Sequence, residues 1–255
     1  MGRATAEYLA QKGCVVYAAS RTPHKLMYLD ENIRPLQLDI ADAQGIAEAI
    51  HQIEQIDVLI NNAGYGLVAT VEEATEEEML AQFDVNVFGV MRMSRAVIPK
   101  MREQGSGVII NISSFLGKIG LPLLTFYNAS KYAVEGITDS LRHELSGFGI
   151  RVHSVMPGFF DTRFAKENLV TNEMILSADS PYAEMVSTLV PTIIEQINGG
   201  NDAGEVARLI HGIIEDDASP ARQTAGDKAK KFIPMRRELS DEDFERRVRA
   251  YYGLR

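Results

Sequence analysis

The 255-residue sequence has no tryptophan and a single cysteine, Cys14. One cysteine builds neither a disulfide framework nor a thiolate zinc site, and inside the apolar run CVVYAAS it reads as a packing residue, so a reducing, cytoplasmic setting fits. No stretch approaches the roughly 18 apolar residues of a membrane span, and no basic-plus-apolar leader precedes the first helix. Positive charge is also short. Lysine and arginine number 26 against 35 acidic residues, a formal net charge of −9 whose field disfavours nucleic acid or anionic membrane as the main partner. Small molecules and other proteins remain. The five histidines are scattered, and His143-Glu144 has no second histidine at metalloprotease spacing. Ser114 lacks the glycine-flanked elbow of a hydrolase nucleophile. With no repeat, low-complexity tract or linker, residues 1–255 read as one domain.

What is present is alternation. GRATAEYLAQKG reads as a helix through Ala4, Ala6, Leu9 and Ala10, ended by Gly13. CVVYAAS then reads as a buried strand, and RPLQLDI, IDVLINNAG, GVIINISS and GIRVHSVMPG read as further strands. Helical patterns separate them: one opens after Asp42, one is capped by Thr75 with Glu78 three residues on, and one runs from about Tyr127 to Ser146. Met79, Phe83, Val87, Val90, Val97 and Met101 give a long helix one apolar face. This order predicts an α/β fold, a doubly wound parallel sheet flanked by helices. Later helices are expected from Ser180-Pro181, from a capping pair Asp202 and Glu205, and from Ser240 with Asp243. Residues 163–200 and 226–255 are expected to form substrate-pocket or lid segments. The charged run KAKKFIPMRRELSDEDFERRVR within the second reads as a solvent face twice as readily as a lid.

In an open parallel sheet, ligands bind beyond the carboxyl ends of the strands. Ser113-Ser114 ends one strand run, and Tyr127 and Lys131 follow one helical turn apart. An i,i+4 pair shares a helix face, so the ammonium can lie beside the phenol, lower its pKa and fit it for acid or base work. Spacing alone does not single this pair out, because Tyr8 and Lys12 share it. Its position after a polar strand end does.

NNAG at Asn61 to Gly64, Asn86 in DVNVFG, Ser114 in NISS, YNASK at Tyr127 to Lys131, and PGFFDT at Pro157 to Thr162 together resemble the short-chain dehydrogenases/reductases over nearly the whole chain. Asn86 lies 28 residues before Ser114, and Ser114 lies 13 before Tyr127, the spacings of that family's catalytic tetrad. INNAGYG and the stretch from VNVFG to NISS resemble the branch holding hydroxysteroid, retinol and acyl-dihydroxyacetone-phosphate reductases. The resemblance implies a Rossmann-type domain and hydride transfer between a nicotinamide and a carbonyl or alcohol substrate. Tyr127 would exchange the proton, Ser114 orient the carbonyl, Lys131 tune Tyr127 and bond the nicotinamide ribose, and Asn86 hold a relay water; a solvated helix position is an equal alternative for Asn86. It places Asp39 and Ile40 near the adenine, Asn61, Asn62, Ala63 and Gly64 against the cofactor backbone, and Pro157, Gly158, Phe160 and Thr162 along the nicotinamide and pyrophosphate. It also implies a homodimer or homotetramer through the two long helices.

At the end of the CVVYAAS strand an acidic side chain would bond the ribose 2′-hydroxyl of NAD. Ser20-Arg21 stands there instead, and a hydroxyl with a guanidinium suits a 2′-phosphate, which favours NADP over NAD. Met174, Ile175, Leu176, Met185, Leu189, Val190 and Ile193 suggest an apolar pocket for a lipophilic or steroid-like ketone, core packing being the alternative.

One departure from the family pattern stands out. Gly2 occupies the last-glycine position of TGxxxGxG, whose strand and earlier glycines have no counterpart here. Five or so buried apolar side chains of such a strand would be worth about 10 kcal/mol, against a whole-domain stability of about 5–15 kcal/mol. The expectation is that the natural protein starts upstream of Met1. Two other readings follow: a non-catalytic relative that keeps the tetrad but not the cofactor site, and an epimerase or dehydratase, against which NNAG and the missing large C-terminal substrate domain count.

Overall fold

A computed structural model describes residues 1–254 apart from 26, 27 and 29. In chain order the elements are α1 (Gly2–Gln11), β1 (Val16–Ser20), β2 (Ile33–Gln37), α2 (Ala43–His51), β3 (Val58–Asn61), β4 (Gly66–Val68), α3 (Glu76–Phe83), α4 (Gly89–Gln104), β5 (Gly107–Ile112), α5 (Thr125–Leu145), β6 (Ile150–Pro157), β7 (Phe160–Asp161), α6 (Phe164–Glu167), β8 (Leu169–Thr171), α7 (Ala183–Asn198), β9 (Asn201–Asp202), α8 (Gly204–Glu215), β10 (Arg222–Ala225), α9 (Gly226–Glu238) and α10 (Asp241–Tyr252).

Several of the expected starts are seen at atomic detail. Asp42 caps α2 by accepting the Gln44 N–H, and Thr75 and Glu78 form both halves of a capping box on α3. Ser240 caps α10 through the Asp243 N–H. Two differ. α7 begins at Ala183 because the Ser180 hydroxyl is turned to the Tyr182 N–H, and Glu205 does not cap α8 but reaches Lys230 and the Gly226 N–H across the fold.

All strand pairs are parallel, yet the main sheet is in two pieces. β10-β6-β5-β3 form one and β1-β2 the other, with no hydrogen bonds between β1 and β3 among the described residues. β5 alternates in the larger piece: Ile109 points toward α2, α4 and α5, whereas Val108, Ile110 and Ile112 point toward α1 and α8. A third apolar cluster joins Phe115, Leu189, Ile193, Phe232, Phe244 and Tyr252, seating α7, α9 and α10 over the carboxyl end of the sheet. The run CVVYAAS is not buried throughout as expected. Ala18 packs on Ala6 and Ala10 of α1, but Val15 is 51% and Tyr17 37% exposed, because α1 covers one face and β2 only one edge.

α3 and α4 are joined by a π turn, Asp84–Phe88, which inserts an extra residue into the helical path. That shift leaves Met79 and Phe83 only partly covered and turns Gln82, Asn86, Val87 and Val90 inward.

Candidate active site

The ends of β3 and β5, the π turn and the start of α5 surround one place. Ser114 follows β5, and its Oγ accepts the Leu116 N–H at 3.1 Å, opening a short turn over Phe115–Gly117. Tyr127 stands in the first turn of α5, hydrogen-bonded to Ser114. Lys131 lies one turn on, its Nζ 5.7 Å from the Tyr127 ring centroid and donating to the Ile112 carbonyl at 2.8 Å.

Asn86 is buried, not solvated. Its Nδ2 donates to the Tyr65 carbonyl at 2.9 Å and to Ser130 Oγ at 3.0 Å, and its Oδ1 accepts the Tyr65 N–H at 3.0 Å. Gly64 is the close neighbour of both helices: a Cβ there would stand 3.0 Å from Asn86 Oδ1 and 3.7 Å from Lys131 Nζ. The four residues at tetrad spacing are thus drawn around one loop.

Burial pushes the Tyr127 phenol up to about 12, with the Ser114 hydrogen bond acting in the other direction. The expected lowering by Lys131 is not found, because its ammonium is turned to Ile112. Burial also brings Lys131 down to about 8, opposed by Glu135 one turn further along α5. Tyr127 is therefore protonated at neutral pH, the state of a general acid. Glu135 is itself buried, with Arg222 at 2.6 Å and Lys118 at 3.4 Å.

The smaller sheet piece brings its own residues to the same end. Ser20 Oγ accepts the Thr22 N–H at 3.1 Å, Arg21 is exposed beside it, and Asp39 accepts the Ala41 N–H at 2.9 Å. Ile40 lies against Gly89, where a Cβ would be 2.6 Å from its Cδ1. Asn62 and Ala63 are exposed, and Asn62 faces Gly2, where a Cβ would be 2.6 Å from Asn62 Nδ2. The close approaches at Gly2 and Gly64 are to side chains of the chain itself; the exposed groups at this end include Arg21, Asn62 and Ala63, next to the polar ends of the strands.

Other expected site residues lie elsewhere or have other work. Asn61 is buried, with Nδ2 bonded to Asn111 Oδ1 at 2.8 Å and to Ser94 at 3.4 Å, and Asn111 continues to Thr138 at 2.9 Å. This chain joins β3, β5, α4 and α5. Phe160 packs in the core with Ala225 and Ile210. Pro157 ends β6, and the Gly158 N–H donates to the Ala225 carbonyl at 2.8 Å, close under the start of α9. Thr162 accepts the Phe164 N–H at 3.3 Å.

The apolar residues expected to line a pocket are divided. Ile175, Leu189 and Ile193 are core, Met174 and Leu176 are exposed, and Met185 and Val190 are partly covered. The ring facing Tyr127, at 6.2 Å between centroids, is Phe164. Gln82, Ser130, Asn111 and Glu135 were not identified from sequence. The signals were Ser130 inside YNASK and a polar Gln82 interrupting an apolar face one turn before Asn86.

An open parallel α/β sheet with helices on both faces, gathering a hydroxyl, a phenol and an ammonium at its strand ends, is a Rossmann-type architecture. The family model for the short chain dehydrogenases matches residues 1–173, and the chain belongs to that family. It is 34% identical to 3-ketodihydrosphingosine reductase of Bacteroides thetaiotaomicron, over 100% of this chain and 94% of that protein. Retinol dehydrogenase 8 of Bos taurus is 30% identical, over 91% of this chain and 75% of its own length. Among solved structures, a short-chain dehydrogenase from Streptomyces avermitilis superposes with TM-score 0.82 at 30% identity, covering 99% of this chain and 93% of that one. One from Burkholderia cenocepacia, in complex with NADP, has TM-score 0.74 at 26% identity, covering 98% and 91%. The chain is accordingly an oxidoreductase of a family that uses NAD(P) and acts on small molecules. No helix among the described residues is long and apolar enough to cross a membrane.

Proposed function

We propose that this chain is an NADP-dependent reductase or dehydrogenase for a lipophilic carbonyl/alcohol pair, with Tyr127 as general acid/base. The observation that carries this reading is the meeting of Ser114, Tyr127 and Lys131 beyond β5, next to Asn86 and Gly64. When bound, the nicotinamide supplies or takes the hydride. Ser114 donates to the substrate oxygen and stabilises charge developing there. Tyr127 passes its hydroxyl proton to that oxygen in reduction and takes it back in oxidation. Lys131, on turning from the Ile112 carbonyl, would stabilise the transient phenolate and bond the nicotinamide ribose. Asn86 fixes the loop above it through Tyr65 and would hold a relay water.

Arg21 and Ser20 would take a 2′-phosphate, with Asp39 and Ile40 beside the adenine, Asn62, Ala63, Gly64 and Gly2 along the cofactor backbone, and Gly158 and Thr162 near the nicotinamide. Residues 163–200 and 226–255 would form the substrate side of a single domain. Phe164 and Leu169 near Tyr127 support an apolar wall, and the relatives named for 3-ketodihydrosphingosine and for retinol are in keeping with it. A cytoplasmic protein paired through α4 and α5 fits the single cysteine and the exposed Met91 and Tyr132 on those helices. The open break between β1 and β3 favours a second reading, a protein with the tetrad but little cofactor affinity.

Titration with NADPH and NADH, followed by nicotinamide fluorescence against the low background of a protein without tryptophan, separates the two. The first reading expects NADPH to bind more tightly, Arg21→Glu to reduce that preference about tenfold or more, and ketones with long apolar groups to be turned over. Absence of binding by either nucleotide favours the second.

A further inference from the structure

Gln82 is a fully buried amide on the inward face of α3, 0% exposed. A buried amide is costly unless both ends are bonded, and here both ends bond the main chain of one short segment. Nε2 donates to the Tyr65 carbonyl at 2.8 Å, and Oε1 accepts the Leu67 N–H at 2.7 Å. Asn86 grips the same segment from the π turn by accepting the Tyr65 N–H and donating to the Tyr65 carbonyl. Two side-chain amides thus fix Tyr65–Leu67 by four bonds. Asn86 also bonds Ser130, whereas Gln82, among the described residues, bonds this segment alone.

The clamped segment lies between the catalytic tyrosine and the substrate side. At Gly66 a Cβ would stand 3.2 Å from Leu169, 3.5 Å from Phe164 and 3.6 Å from Tyr127. The Gly66 N–H donates to the Asn168 carbonyl at 2.8 Å, and β4 continues into a parallel pairing with β8, Leu67 opposite Val170. Whatever sets the place of β4 therefore sets the separation of Tyr127 from Phe164 and Leu169.

We infer that Gln82 is a positioning residue that holds β4, and through it β8 and Phe164, at the distance from Tyr127 that decides which substrates fit. It touches no reacting atom and acts only through the Tyr65–Leu67 backbone. The effect on substrates rests on the oxidoreductase reading above; the coupling of β4 to β8 does not.

Gln82→Met keeps the length and removes both bonds. Hydrogen exchange should speed up together in 65–68 and 168–172, while β5 and β6 keep their rates. Against ketones of increasing apolar length, kcat/KM for the longest should fall about 10- to 100-fold, mainly through KM, since misplacement by an ångström far from the chemistry has effects of that order. The shortest ketone should change less than about threefold and NADPH affinity less than about twofold, because the inferred effect is confined to the spacing of Phe164 and Leu169 from Tyr127. Leu169→Ala, on the other side of Gly66, should reorder the same substrates, and it stands in if Gln82→Met does not fold. A role confined to packing predicts equal losses for every ketone, which would overturn the inference, as would unchanged exchange in 168–172. If the wild-type protein turns over no carbonyl, the functional reading fails and the exchange experiment alone decides about Gln82.

Discussion

The two pieces of the sheet are made of similar residues but are held differently. Every residue of β5 is buried, and all of β6 but Arg151. In β1 only Ala18 is buried, and in β2 only Ile33. β5 has a strand on each side and helices on both faces, whereas β1 has one strand neighbour and one covering helix. Strand-forming composition sets how a segment folds, but burial follows from what lies on its edges and faces. The proposed site residues divide in the same way. Ser114, Tyr127, Lys131 and Asn86 stand on the well-covered piece and its helices, while Ser20, Arg21, Asp39 and Ile40 stand on the thinly covered one. A ligand touching both would stabilise their relation in proportion to its affinity.

Four substitutions probe this division. The largest effect is expected of Tyr127→Phe: turnover should drop about 10²- to 10⁴-fold while NADPH affinity, measured by fluorescence, stays within about twofold, since the nucleotide would draw mainly on other residues. Comparable loss of both would mean that the two functions are not divided. Next comes Asn111→Leu, which strips the partner from Asn61 and Thr138 inside the covered piece and should cost about 2–4 kcal/mol in urea unfolding.

Lys131→Met should abolish turnover yet raise stability by about 1–3 kcal/mol at neutral pH. The sign follows from Lys131 being held near 8 in the folded chain against its ordinary 10.5. Below about pH 8 the wild type holds a buried charge at a cost. Between there and 10.5 the unfolded state binds more protons, so wild-type stability rises with pH and the advantage of methionine shrinks. Thermal melts from pH 6 to 10.5 would show the gap closing, and a gap that is constant or widens contradicts the assignment. The smallest effect belongs to the thin piece: Val15→Thr, just before β1, should change stability by less than about 0.5 kcal/mol, and a cost like that of Asn111→Leu would show that the entry to β1 is better covered than its exposure indicates.

Much of this was legible in the chain. Period-2 and period-3.6 patterns gave the alternation of strands and helices, and capping chemistry located the starts of α2, α3 and α10. That Asn86, Ser114, Tyr127 and Lys131 would lie close together was legible through the ordered motifs that resemble the family's, not through spacing alone. Contacts between distant segments were not. That Asn61 would turn to Asn111 in the neighbouring strand, that Phe160 would enter the core, and that Lys131 would bond Ile112 rather than lower the phenol pKa all depend on three-dimensional neighbours. The apolar pattern of 174–193 could not say which residues face inward, because a short turn and a delayed helix start break its periodicity.

The π turn at Asp84–Phe88 has a consequence for the length of the chain there. A π turn holds one residue more than a regular turn, so deleting that residue would let α3 and α4 run on as one α-helix with both parts keeping their faces. Deleting or adding a residue elsewhere in α4 would instead turn the part beyond it by about 100° and carry side chains such as Val97 and Met101 out of the core. A one-residue deletion in this helix should therefore be tolerated best at the bulge, and hardly at all beyond it even where single substitutions are accepted.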